Sequence, residues 1–187
     1  MFKSLILALV VSLLSAPAFA AADNYKMIKE KSSLKFFANN NNAPVEGQFK
    51  DFLADIKFDH EKPEDSKISV VVDIKSIAAN ADKLAETLLG KDWFSADVFP
   101  KAVFTSTKIT RMPSSENYYG EGTLKIRDKT VPVNINFSLQ FADADNAIAK
   151  GYVTLRRNDF GIGQGSFAKD DALKNEVRVE FRVAAQK

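Results

Sequence analysis

Few side chains in this sequence could do chemistry, and their spacing argues against most of it. There is one histidine, His60, and no cysteine. A thiol nucleophile is therefore absent, and a zinc site built from His and Cys cannot be assembled by count. His60 stands in the acidic turn sequence His60-Glu61-Lys62-Pro63-Glu64-Asp65, where a solvated turn residue is expected rather than a base or a ligand. Asp170 and Asp171 are adjacent, so in an extended chain their carboxylates diverge and do not share a proton. Asp143, Asp145 and Asn146 resemble a fragment of a calcium loop without its glycine or bidentate glutamate, and a polar hairpin tip explains them better. Gly161, Gly163 and Gly165 lack the following helix and lysine of a phosphate cradle, and a tight bend at a strand exit is expected. These residues make up no catalytic set and no metal or cofactor site. The chain is not expected to be an enzyme.

The elements that carry these residues are strands. Val131, Val133, Ile135, Phe137, Leu139 and Phe141 alternate with polar residues without a break, the pattern of a long half-buried strand. Ile68, Val70, Val72 and Ile74 form a second such run, and Val177, Val179, Phe181 and Val183 a third. Weaker runs lie near 24–29, 32–38, 45–58, 102–111, 117–127 and 147–157. Within 45–58, Val45, Gly47 and Phe49 fall on one parity and Phe52, Ala54, Ile56 and Phe58 on the other. That phase change predicts a β-bulge between Phe49 and Phe52. Short polar turns join the runs, so the fold class is all-β. The expected architecture is an antiparallel up-and-down barrel of about eight strands, because closure removes exposed edges. One short helix is inserted mid-chain, between Asn80 and Gly90, on the spacing of Ala81, Leu84, Ala85, Leu88 and Leu89.

The N-terminus has the three parts of a signal peptide. Lys3 is followed by the apolar run Leu5–Leu14 and by Ala18-Phe19-Ala20, a small-x-small cleavage pattern. The run is too short for a membrane span, which needs roughly 20 residues. Residues 1–20 are thus expected to be removed near Ala20, leaving 21–187 as a single β-barrel domain. Export without disulfides or a lipid-bearing cysteine fits a periplasmic address. A formal net charge of +2 offers no basic face for nucleic acid.

Inside such a barrel the aromatic content becomes informative. All but Phe2 and Phe19 of the 15 phenylalanines lie beyond residue 20, and Phe36, Phe49, Phe58, Phe137 and Phe181 share the inward parity. An eight-stranded barrel has room for its own side chains or for one small ligand. From spacing alone, a filled core and a ligand cavity are both open. Arg157 shares the face of Val153 and Leu155, which puts it inward near the rim, whereas Arg127, Arg178 and Arg182 are expected to point outward. An inward arginine could hold a head group or form a buried structural pair with Asp159.

Three ordered motifs resemble those of the YceI-like, polyisoprenoid-binding proteins. The run from Trp93 to Ser106 is similar to their FPxAxFxS signature, carried here by Phe99-Pro100-Lys101-Ala102-Val103-Phe104-Thr105-Ser106. Gly122-Thr123-Leu124-Lys125-Ile126 with Thr130-Val131-Pro132-Val133 resembles their paired G-x-L-x-I and T-x-P-V strands. Arg157-Asn158-Asp159-Phe160-Gly161-Ile162-Gly163 resembles their R-x-D-F-G-I-G turn. The resemblance spans nearly all of residues 24–185. It implies a lipocalin-like barrel with a long apolar channel, and association with isoprenoid chains of the quinone or isoprenyl-phosphate type. Many relatives carry a histidine after the early strand, where this chain reads Phe36-Phe37-Ala38-Asn39-Asn40.

The reading that follows is a periplasmic carrier that holds an apolar lipid, an isoprenoid, in the barrel. Its wall candidates are Phe36, Phe49, Ile68, Val70, Phe104, Leu124, Ile135, Phe137, Leu155 and Phe181, with Arg157 as head-group candidate. Transient membrane contact for loading and an oligomeric assembly are compatible with it. Two alternatives stand beside it: a stress-response or interaction module with a filled core, and an enzyme acting on a bound lipid.

Overall fold

A computed structural model describes residues 22–40, 43–81, 83–169 and 173–187. The leader expected over residues 1–20 and the Asp170-Asp171 pair lie outside the described residues. The strands are β1 (Asp23–Met27), β2 (Ser33–Asn40), β3 (Ala43–Phe49), β4 (Phe52–Phe58), β5 (Lys67–Asp73) and β6 (Ile77–Ala79). After a helix, α1 (Leu84–Leu89), come β7 (Lys101–Arg111), β8 (Asn117–Ile126), β9 (Lys129–Phe141), β10 (Asn146–Arg156) and β11 (Glu176–Gln186).

All pairings are antiparallel, and they close on themselves. β1 pairs with β4 on one side and, through Lys26 with Gln186 and Met27 with Ala185, with β11 on the other. β2 continues the β1 position along β11, β3 continues β4, and β6 continues β5. The eleven strands thus occupy eight positions of an up-and-down barrel with one short helix, as expected from the alternation. Closure pairs the edges that an open sheet would expose.

The phase change near Phe49 takes another form than the expected bulge. Lys50 and Asp51 break the strand outright, and both Phe49 and Phe52 still face the interior. The neighbouring positions break too, in 3₁₀ turns at Lys29–Lys31 and Ile74–Ser76. Hydrogen bonds cross the break: Asp73 N–H donates to Asp51 O at 2.9 Å and Asp51 N–H to Ser76 Oγ at 3.0 Å. Three neighbouring strand positions are thus broken side by side, and β3 and β6 pair beyond the break. A register shift does occur elsewhere, between Ser106 and Lys108 of β7 against β8. It brings Ser106 and Ile109, of opposite parity, to the same interior.

The two ends differ. The lower end carries three short connections, at 59–66, 112–116 and 142–145. The upper end carries α1, the irregular 90–100 segment and the long connection after β10. Gly161, Gly163 and Gly165 have φ of 68°, 74° and 65°, left-handed values at which a side chain is strained. The expected tight bend is there.

At the β9–β10 tip, Asp143 Oδ1 accepts hydrogen bonds from Asp145 N–H, Asn146 N–H and Asn146 Nδ2. The Asn146 side chain, then these two amides, lower the Asp143 carboxyl below its ordinary range. A lowered folded value stabilises above the unfolded pKa and is lost as pH falls through the folded one. Protection of the Asp145 and Asn146 amides, measured against their intrinsic exchange at each pH, is therefore expected to fall only in acid below the usual carboxylate range. Asp143→Ala should abolish that pH dependence.

Candidate binding cavity

Side-chain volume at the inward positions decides whether an eight-stranded barrel is full or hollow. β8 presents Gly120 and Gly122 inward, and β10 presents Ala147, Ala149 and Gly151. Three of the inward phenylalanines lie down over glycines of an adjacent strand. Phe36 is paired with Gly47 and Phe181 with Gly151, while Phe104 covers Gly122 diagonally. A Cβ built on Gly47, Gly151 or Gly122 would lie 2.2, 2.6 or 2.4 Å from the covering ring. The rings therefore thicken the wall instead of crossing the lumen. A cavity of about 380 Å³ remains, within the range of small-molecule sites.

All eleven residues singled out from the sequence line this cavity: Phe36, Phe49, Ile68, Val70, Phe104, Leu124, Ile135, Phe137, Leu155, Arg157 and Phe181. Val70, Phe104, Leu124, Ile135, Leu155 and Phe181 point inward yet are only half-buried. They face empty space where a filled core would have put other side chains. The glycines and alanines opposite them were missed. Their signal in the sequence is small residues at inward parity, on the very strands whose large residues carry the alternation.

The lower end is packed with aromatic side chains. Tyr118 and Ile109 are 0% and 1% exposed. Tyr118 stacks on Phe137 with ring centroids 5.3 Å apart and meets Phe58 edge-on at 5.5 Å. Burial raises the Tyr118 phenol above its ordinary pKa. Its hydroxyl lies 3.4 Å from His60 Nδ1, on the side away from the cavity, which Tyr118 does not line. His60 is a turn residue as expected, but its ring is half-buried edge-on against Phe141 at 5.2 Å. Phe141 reaches the cavity with its inner face while staying 41% exposed.

The upper end is held by two arginines. Arg157 is 3% exposed, and its guanidinium is committed to the long connection. Nε donates to Lys174 O, Nη1 to Asn158 Oδ1, Ile162 O and Gly163 O, and Nη2 to Lys169 O and Leu173 O. The head-group role expected of Arg157 is corrected accordingly, because its nitrogens already satisfy buried carbonyls. Asp159, the other expected partner, instead sits 3.9 Å from Arg156 Nε. Arg127 is also corrected. It does not point outward but donates from Nη1 to Trp93 O, at 3.0 Å, and to Gly161 O. It thereby ties the 90–100 segment to the glycine turn, while Arg178 does lie outside, 3.8 Å from the Tyr152 ring.

Between these fixed parts the cavity meets solvent at Asn40 of β2 and Thr87 of α1, both exposed and both in its lining. Leu84, Phe167 and Leu173 complete this rim. Polar atoms are scarce further in. Ser106 Oγ accepts from Ile68 N–H at 2.9 Å. The Tyr25 phenol is raised by burial and lies against Lys187. No cluster of three or more His, Cys, Asp or Glu occurs among the described residues.

The YceI-like domain model matches residues 25–185. The chain belongs to the YceI-like family. A UPF0312 protein of Pseudomonas putida W619 is 30% identical over 181 residues, covering 93% of each chain. One of Shewanella baltica OS185 is 29% identical over 170 residues, covering 87% of this chain and 88% of that protein. The crystal structure of Burkholderia cenocepacia BcnA superposes with a TM-score of 0.81 at 27% identity, covering 86% of this chain and 99% of BcnA. A polyisoprenoid binding domain from Saccharophagus degradans, implicated in plant cell wall breakdown, shares the fold at 13% identity. Its TM-score is 0.68, with 89% of this chain and 99% of that one covered.

Two expectations follow for this YceI-like barrel. A Cβ on Gly47 would also meet Ala78 O at 2.7 Å, whereas at Gly120 the nearest atom is Phe137 Cε1 at 3.6 Å. Gly47→Ala should cost about 1–3 kcal/mol of stability in urea unfolding, and Gly120→Ala only about 0.5 kcal/mol. Arg157→Lys keeps the charge but loses the fork of donors, and should cost about 3 kcal/mol in the same measurement.

Proposed function

We propose that this protein binds a long apolar lipid, an isoprenoid of the quinone or isoprenyl-phosphate type, inside its barrel. We further propose that it is exported by cleavage near Ala20 and carries or sequesters that lipid in the periplasm. The supporting observation is the cavity itself. It offers about 380 Å³ of space behind an apolar wall, and each methylene that a bound chain buries there contributes about 0.8 kcal/mol. The family and the polyisoprenoid-binding neighbour favour an isoprenoid over other apolar chains.

The head group belongs at the rim, beside Asn40 and Thr87, where a polar or charged group stays in water. Loading brings that rim to a membrane. The filled-core alternative loses support from the lumen. An enzyme acting on the lipid would need a polar, pKa-shifted cluster facing the chain, and the wall offers Ser106, already accepting a backbone amide, and Tyr25.

Native mass spectrometry of protein purified from its own cells should show an extractable apolar lipid. Ala149→Phe, which places a ring in the lumen, should weaken uptake of an added isoprenoid quinone by about tenfold or more. A mature protein with no extractable lipid and no uptake would overturn the reading.

A further inference from the structure

Ser106, the central residue of β7, is the polar exception midway along the apolar wall. The other lining side chains with polar atoms stand or point elsewhere. Asn40, Thr87 and Trp93 belong to the upper end, the Arg157 guanidinium is held by loop carbonyls, and the Tyr25 phenol lies against Lys187. The pairing of β7 with β5 stops just before Ser106, at Thr105 with Ser69, and the register shift against β8 follows directly after it. Irregularities of this kind recur beside functional sites, where they re-aim a side chain. Here Ser106 Oγ stands in for the interrupted ladder by accepting the Ile68 N–H at 2.9 Å. That bond fixes the oxygen. A hydroxyl also carries one proton to donate, and among the described residues no acceptor receives it. Phe104 covers Gly122, the residue paired with Ser106, and brings a flat apolar face beside this free donor.

We propose that Ser106 recognises a neutral acceptor oxygen carried into the lumen, a ketone or quinone carbonyl, with Phe104 against the group that bears it. This role rests on the reading that the lumen binds an apolar molecule, and it names the polar atom that such a molecule brings inside. An anion does not suit this depth. Arg157 is the one charged side chain in the lining, and it is already committed. A phosphate stripped of water there would lose far more than one neutral hydroxyl returns. A carbonyl gives up less on leaving water and regains a hydrogen bond inside. A hydrocarbon of the same shape leaves the donor unpaired, which a buried polar group resists. Of the two isoprenoid types above, the quinone is the one whose polar atoms suit this wall.

The test uses the full mature chain with menadione, a methylated naphthoquinone, and methylnaphthalene, the hydrocarbon of the same skeleton. Calorimetry gives the affinities, and infrared spectroscopy follows the quinone carbonyl band. In the unaltered chain that band should lie below its position in hexane, the mark of a donated hydrogen bond. Ser106→Ala should weaken menadione about fivefold or more while leaving methylnaphthalene within about twofold, and should move the band back toward the hexane position. Ser106→Thr keeps the hydroxyl and should hold menadione within about threefold of the unaltered chain, with the band still lowered. A band at the hexane position in the unaltered chain overturns the role of Ser106, whether or not the variants fold. An equal loss of both ligands in Ser106→Ala overturns it too, because a serine that only braces Ile68 would give that result. Binding of neither ligand by the unaltered chain overturns the apolar-ligand reading itself.

Discussion

Everything distinctive about this barrel depends on where its phenylalanine rings lie. Eight strands enclose a volume that ordinary Val, Leu and Phe side chains would fill. Here Phe36, Phe104 and Phe181 rest on Gly47, Gly122 and Gly151, and the space they would have occupied stays open. Each ring buries its face against backbone, and each glycine, otherwise a weak point in a strand, is covered. The same contact that stabilises the wall keeps the lumen clear. A large side chain at any of these glycines would have to push a ring into the cavity or out of the fold.

The two ends of the lumen differ in what holds them together. At the lower end, aromatic contacts among Phe58, Tyr118 and Phe137 gather rigid apolar groups. The upper end is closed on one side by irregular segments, and these hold their shape through Arg127 and Arg157. Both arginines satisfy backbone carbonyls that no ladder could pair, as buried loop carbonyls require. An arginine committed in this way is structural equipment, however well placed it looks for a ligand. Asn40 and Thr87, exposed and in the cavity lining, lie beside these held segments.

Much of this was legible in the sequence, and the failures share one cause. The strands, the closed barrel and the inward set from Phe36 to Phe181 follow from period-two alternation, and the inserted helix between Asn80 and Gly90 follows from the helical spacing of its leucines and alanines. Alternation tells which face a side chain occupies, and a wall residue is defined by its face. It does not tell how a ring tilts, so the open lumen could not be separated from a filled core, although Gly120, Gly122 and Gly151 at inward parity carried the signal. Arg157 lies on the expected face but does other work, because its acceptors among the described residues lie on a connection that folds back over it. Arg127 has φ of 56°, which takes it off the strand and voids any parity argument. The break at Lys50 and Asp51 shifts phase as a bulge would, and only the strands on either side distinguish the two.

The central claim is that an apolar chain occupies the interior of the barrel and touches its inward side chains. Intermolecular NOEs between geranylgeraniol and the methyl groups of the Ile-, Leu- and Val-labelled protein test this most directly. The account requires contacts to Val70, Leu124, Ile135 and Leu155, which line the cavity, and none to Leu53 or Val98, which are 64% and 68% exposed. Contacts confined to Leu53, Val98 or other outer-surface methyls, with the interior methyls silent, would contradict it.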